Sequence, residues 1–203
     1  MCPVIIRAML ELRIQQHFID SADLHYQVAE ALAKPVDAAV QAVLASVTGG
    51  GKVLVAGQGA SAALAQYLVH LLVGGFERER PGLAALALSA DALMATAWTD
   101  DQTLARQVRA LGQAGDVLVL ISLDGQEPAL LKAVQAAHER EMTVLALTGG
   151  HGGAVGKHLH ETDVHVGVPH ERGARIREVQ HLVLHCLCDG IDTQLLGEQE
   201  PLE

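Results

Sequence analysis

The chain has 203 residues, half of them apolar but only 2% aromatic, and carries a net charge of −10 at neutral pH. That length suits one domain with a full-sized core, and the scarcity of aromatics means that aliphatic side chains fill it, as in buried parallel strands covered by helices. An acidic, aromatic-poor chain lacks both the cationic face that grips a phosphate backbone and the rings that stack on bases, which argues against direct nucleic-acid binding.

The opening stretch has a short apolar run soon met by Arg7, Glu11 and Arg13, so it does not read as a signal peptide. A helical period runs from Arg7 to Ala33 through Leu10, Ile14, Phe18 and Leu24. Lys34-Pro35 is expected to break it, with Pro35 opening a second helix over roughly Val36 to Ser46. Past the glycine loop at 49–51 the period changes. Val53 to Ala56 reads as a buried strand, Gly57-Gln58-Gly59-Ala60-Ser61 as a turn, and the following residues to about Val73 as a helix. Then come a strand at Leu83 to Leu88, helices at Asp91 to Trp98 and Asp101 to Leu111, and a strand at Val117 to Ile121. Pro128 to Arg140 is helical, Thr143 to Leu147 a strand, Gly152 to His158 a short helix and Val164 to Val168 a strand. A long helix from about Arg172 to Leu196 precedes an acidic tail.

Strands alternating with helices predict an α/β protein: a three-layer αβα sandwich with a five-stranded parallel sheet and two extra N-terminal helices. The expected organisation is a single domain over 1–203, with helices in 1–48 serving oligomerisation, the αβα core in 52–196 and a frayed tail in 197–203. Val53 to Phe76 contains no Lys, Arg, Asp or Glu, yet Gln58, Ser61, Gln66 and His70 and its glycines make it a buried strand, turn and helix rather than a membrane span. No membrane partner and a cytoplasmic location are expected. Cys2, Cys186 and Cys188 show no zinc-type pairing and read as core thiols of a reducing compartment.

Two loops lie where chemistry is expected. The Gly57-x-Gly59-x-Ser61 turn presents free amides at a helix start, a seat for an anion, although glycine serves tight βα geometry in many folds. The second, Ser122-Leu123-Asp124-Gly125-Gln126-Glu127-Pro128, also lies between a strand's C-terminal end and a helix, where open α/β sheets bind ligands.

Taken with the run ARQVRALGQAGDVLVLIS, the segment MTVLALTGGHGG and the ending ARIREVQHLVLHCLCDGID, the turn GQGAS resembles the sugar isomerase (SIS) domain family, in the branch of bacterial phosphoheptose isomerases and DiaA, a protein that binds the replication initiator DnaA. The resemblance spans nearly the whole chain. It implies a homotetramer with sites between subunits, and ligand contacts from Gly57, Gln58, Gly59, Ser61, Ser122, Asp124, Gly125, Glu127, Asp101 and Arg177. Several positions depart from the family pattern. The phosphate loop of the family reads STSGNS; here only the hydroxyl of Ser122 survives, and Asp124 and Glu127 bring carboxylates that either repel a phosphate or favour the following helix start. The resemblance places Tyr67 where the family has a histidine, Leu71 where it has a catalytic glutamate, and Arg177 where a glutamine helps to bind zinc in some members. His185 alone keeps a catalytic position. His181 and His185, four apart on a helix, have the spacing of a metal pair, with His70 on the facing helix, but such spacing is common in a chain with 11 histidines; no cofactor is expected, with zinc the alternative. Asp101 either lies near a substrate or caps the next helix, and Leu195 and Leu196 either anchor a partner or pack between subunits.

The sequence thus leads to a catalytically degenerate, DiaA-like protein binding a carbohydrate derivative, a protein partner such as DnaA, or both. The alternative is a phosphoheptose isomerase, acting on sedoheptulose 7-phosphate with a relocated base such as Glu178 or Asp101; a third reading is a sensor of a less anionic sugar.

Overall fold

A computed structural model describes residues 3–89 and 101–198, with side chains from Met9 onward. The helix expected at Asp91 to Trp98 lies outside the described residues. The elements run α1 (Pro3–Thr48), β1 (Val53–Gly57), α2 (Ala60–Gly74), β2 (Ala85–Ala87), α3 (Thr103–Leu111), β3 (Val117–Ile121), α4 (Pro128–Glu139), β4 (Thr143–Gly149), α5 (Gly153–Gly156), β5 (Val164–Val168) and α6 (Gly173–Leu196). All strand pairs are parallel, in the order β2-β1-β3-β4-β5.

Alternation along the strands sends side chains into two cores. Val53, Val55, Val117, Val119, Ile121, Leu145 and Leu147 meet α1, α2 and α6 on one face. Leu54, Ala56, Leu118, Leu120, Val144 and Ala146 meet α3, α4 and α5 on the other. Strands apolar on both faces are what a parallel sheet covered by helices requires, and the expected αβα sandwich is the architecture found.

The N-terminal region differs from expectation. Instead of two helices broken at Lys34-Pro35, one α-helix of 46 residues runs through Pro35. The missing proline N–H and its ring clash cost on the order of 3 kcal/mol in a helix interior. Against this, Leu24, Val28, Leu32, Val36, Ala39, Val40 and Val43 form one buried stripe spaced three and four apart across the proline. Burying a Leu or Val contributes roughly 1.5–3 kcal/mol each, so continuity of the stripe outweighs the local break. The other half of α1 is different: Met9, Leu10, Ile14 and Phe18 are exposed in the single chain. Among the described residues, no helix is long and apolar enough to cross a membrane.

Candidate functional site

Strands β1 and β3 are neighbours in the sheet, and Gly57 pairs with Ile121. The chain leaves β1 toward β2 on one side and enters β4 from β3 on the other. Their C-terminal ends therefore border the crevice of a topological switch point, where such sheets bind ligands. The Gly57–Ser61 turn and the loop after Ile121 begin side by side at this level.

Glycine is required in the turn. A Cβ at Gly57 would collide with the Ser61 carbonyl, and Gly59 has φ 59° and ψ −129°, a conformation essentially closed to other residues. Ser61 is buried in the first turn of α2, its amide donating to the Gln58 carbonyl at 3.2 Å.

The second loop is closed on itself. The Ser122 hydroxyl donates to Glu127 Oε2 at 2.6 Å and accepts from the amides of Gly125 at 2.7 Å and Asp124 at 3.2 Å. One donated and two accepted bonds use the full capacity of a hydroxyl. Asp124 Oδ1 accepts from the Gln126 amide at 3.0 Å, which tightens the turn further. From α6, buried Gln180 donates through Nε2 to the carbonyls of Ser122 at 2.6 Å and Leu147 at 3.3 Å, tying the loop to β4. Gly125, at φ 66°, packs so closely that a Cβ would strike the Gly152 carbonyl. Beside the loop, Leu123, Asp124, Gln126, His151, His170 and Ile176 line a cavity of about 410 Å³.

A second group of polar side chains gathers at the α2–α6 contact. Arg177, His181 and His185 recur every four residues and so share one face of α6. Tyr67 of α2 meets this face: its Oη and His185 Nε2 are 2.8 Å apart, and its ring stacks on His181 at 4.7 Å. His181 and His185 rings lie edge to face at 4.8 Å, and Phe76 packs against His185 at 5.2 Å. Burial, and secondarily the neighbouring His185, lowers the pKa of His181, which favours a neutral imidazole able to accept a proton. Leu71 is buried in the core and offers no proton-transfer group.

This set does not fit zinc. Leu71 supplies no donor, and the Arg177 guanidinium on the same face is a cation that cannot ligate, which leaves only two imidazoles. His70 does not join the pair on α6: it lines a separate cavity with Gln66, Val73 and Ala87 beside β2. Asp101 pairs with Lys132 of α4, while the N-cap of α3 is Gln102 without a side-chain cap bond, so the capping role expected of Asp101 is not found. Glu178 accepts from Ser21 at 2.7 Å and from Arg175, so neither carboxylate suggested as a relocated base is free for that task. Leu195 and Leu196 are exposed at the end of α6. Cys188 is buried as expected, its thiol pushed up to about 12 by burial and by Asp192, whereas Cys186 is exposed rather than part of the core.

Two features escaped sequence reasoning. Gln180 holds the second loop from a distance of 58 residues, and a lone glutamine in an amphipathic helix gives no signal of that. Arg80 pairs with Asp192 in the interior, both side chains at most 2% exposed, and donates to the carbonyls of Leu71 and Leu72 at the end of α2. A charged residue before Pro81 in an otherwise polar loop looks solvated until α6 is seen to cover it.

The SIS domain family model matches residues 16–149. A phosphoheptose isomerase of Methylibium petroleiphilum is 57% identical over 196 residues, covering 95% of this chain and 98% of its own. The DnaA initiator-associating protein DiaA of Yersinia pseudotuberculosis is 44% identical, covering 95% of this chain and all of its own length. In three dimensions the phosphoheptose isomerase of Neisseria gonorrhoeae superposes with a TM-score of 0.84 at 41% identity, over 91% of this chain and 99% of that one. The β1–β3 crevice, its glycine turn and its full-length relatives agree, and this chain belongs to the SIS domain family.

Proposed function

We propose that the protein is a sugar-phosphate isomerase of the phosphoheptose type, interconverting sedoheptulose 7-phosphate and a heptose 7-phosphate. The observation that carries this reading is the Tyr67–His185 pair at 2.8 Å, beside the neutral-leaning His181. Whole-length identity of 57% to a relative named phosphoheptose isomerase supports the substrate class. Ketose-to-aldose conversion requires a base to take a proton from C1 and return it to C2, and an acid to move a proton between the two oxygens. His181 is suited to the carbon proton. His185, hydrogen-bonded to Tyr67, is suited to the oxygen proton, with Tyr67 steadying its ring. Because a leucine replaces the carboxylate expected at position 71, turnover should fall about 10²- to 10⁴-fold below that of a family member with the carboxylate.

The test is wash-in of solvent deuterium at C1 of sedoheptulose 7-phosphate and at C2 of the heptose 7-phosphate formed from it, followed by NMR. Slow exchange abolished by His185→Ala is the expected result; absence of exchange in the unaltered protein would remove the isomerase reading. We further propose that the exposed residues Met9, Leu10, Ile14 and Phe18 are covered by other subunits in a homotetramer. Light scattering on the purified protein tests this.

A second reading has its own support. Glu127 occupies the hydroxyl that a phosphate would use, and Leu195 and Leu196 lie exposed at the end of α6. A DiaA-like protein that recruits a DnaA-type partner through this helix end would tolerate both. Capture of purified DnaA, lost in Leu195→Asp, would favour it over the isomerase.

A further inference from the structure

We propose that the chain carries a transition-metal site, distinct from the β1–β3 crevice, formed by His138, His160 and Asp163. His138 is in the last turn of α4, Asp163 immediately precedes β5, and Asp163 bonds to the start of β4. In a parallel sheet these positions all lie at the N-terminal edge, opposite the end that holds Gly57 and Ser122.

One ligand is fixed by the fold. The Asp163 side chain is 1% exposed; its Oδ1 accepts from the Val144 amide at 2.8 Å, and its Oδ2 from the His160 amide at 2.7 Å. Two backbone donors hold this carboxylate before any ligand arrives. His138 Nε2 lies 2.7 Å from Oδ2, and the His160 ring stacks on the His138 ring at 3.6 Å and 13°. One ligand atom from each of the three residues lies within 4.8 Å of the other two. A tetrahedral ion with bonds of about 2.0–2.1 Å needs ligands about 3.3 Å apart. Reaching that spacing requires an opening of the His138–Asp163 contact and rotation of the exposed His160 ring out of its stack on His138.

The chemistry of the set selects the ion. Two imidazoles and one carboxylate suit zinc, cobalt or nickel, whereas magnesium and calcium prefer oxygen cages. An ion there would give both imidazoles and the buried Asp163 carboxylate one common partner. It also ties α4, β4 and β5 at one point, so its effect falls on stability rather than on proton transfer at the crevice.

Cobalt(II) titration of the untagged, chelator-treated full chain tests the proposal, because visible d–d bands report four- or five-coordinate nitrogen ligation. One equivalent should bind and raise the melting temperature, and magnesium should do neither. His160→Ala, which alters an exposed ring and leaves the buried contacts alone, should lower cobalt affinity at least tenfold and reduce the visible bands. His138→Asn should do the same. Wild-type affinity and spectrum in His160→Ala, loss of binding in His181→Ala instead, or no binding by the unaltered chain would each overturn the assignment.

Discussion

Replacing Glu127 with serine should open the second loop to phosphate. In the structure the Glu127 carboxylate holds the Ser122 hydroxyl at 2.6 Å. A phosphate taking over that hydroxyl would sit with its charge about 5 Å from the carboxylate. At an effective dielectric of about 20, two unit charges at that distance repel by about 3 kcal/mol. Glu127 is half-buried, and halving the figure for solvent screening leaves about 1.5 kcal/mol, or roughly a tenfold gain in affinity once the charge is removed. Glu127→Gln separates charge from hydrogen bonding: it should recover most of the gain while leaving Ser122 partly engaged. Calorimetric titration with sedoheptulose 7-phosphate in low salt reads the effect, and added salt should shrink the difference between variants. Equal affinities across wild type, Glu127→Ser and Glu127→Gln would show that the carboxylate does not oppose the ligand, and the electrostatic reasoning would fail.

Tyr67→Phe removes the partner of His185 but keeps the ring that stacks on His181; kcat should drop about tenfold with KM little changed, read by steady-state kinetics. The acid limb of turnover should lie lower than an unperturbed histidine base would place it. The lowered pKa of His181 keeps this base unprotonated to lower pH, and a pH–rate profile checks the position of the acid limb. Arg80→Ala leaves Asp192 charged and uncompensated in the interior, so urea denaturation should show a loss of about 3–5 kcal/mol, largely recovered in Arg80→Met/Asp192→Leu. Cys188, buried and with its thiol raised to about 12, should resist alkylation of the folded protein at pH 8 while exposed Cys186 is labelled; mass spectrometry of peptides distinguishes the two.

The fold was legible because its strands are short aliphatic runs such as Val117 to Ile121, apolar on both faces, and its turns are marked by glycine. Pro35 misled for a physical reason. Local rules see the lost hydrogen bond, while the stripe that compensates it becomes visible only when α1 is laid on the sheet and α6. At the candidate site, the family resemblance pointed to Leu71 in the place of an acid and Glu127 in the place of a hydroxyl. It did not show which groups meet. Tyr67 and His185 are 118 positions apart, and only the crossing of α2 and α6 brings them within 2.8 Å. Asp101 shows the opposite difficulty: an aspartate before a helix fits a cap locally, yet Lys132 on the neighbouring helix claims it.

The glycines opposite the second loop bear on how such a protein changes over generations. A Cβ at Gly149 would strike the Leu123 carbonyl, one at Gly125 the Gly152 carbonyl and one at Gly153 the Asp124 carbonyl. The main chains of the two loops are therefore seated against each other, leaving little room for backbone drift. A change of ligand at this crevice would therefore have to come from side chains rather than from the backbone.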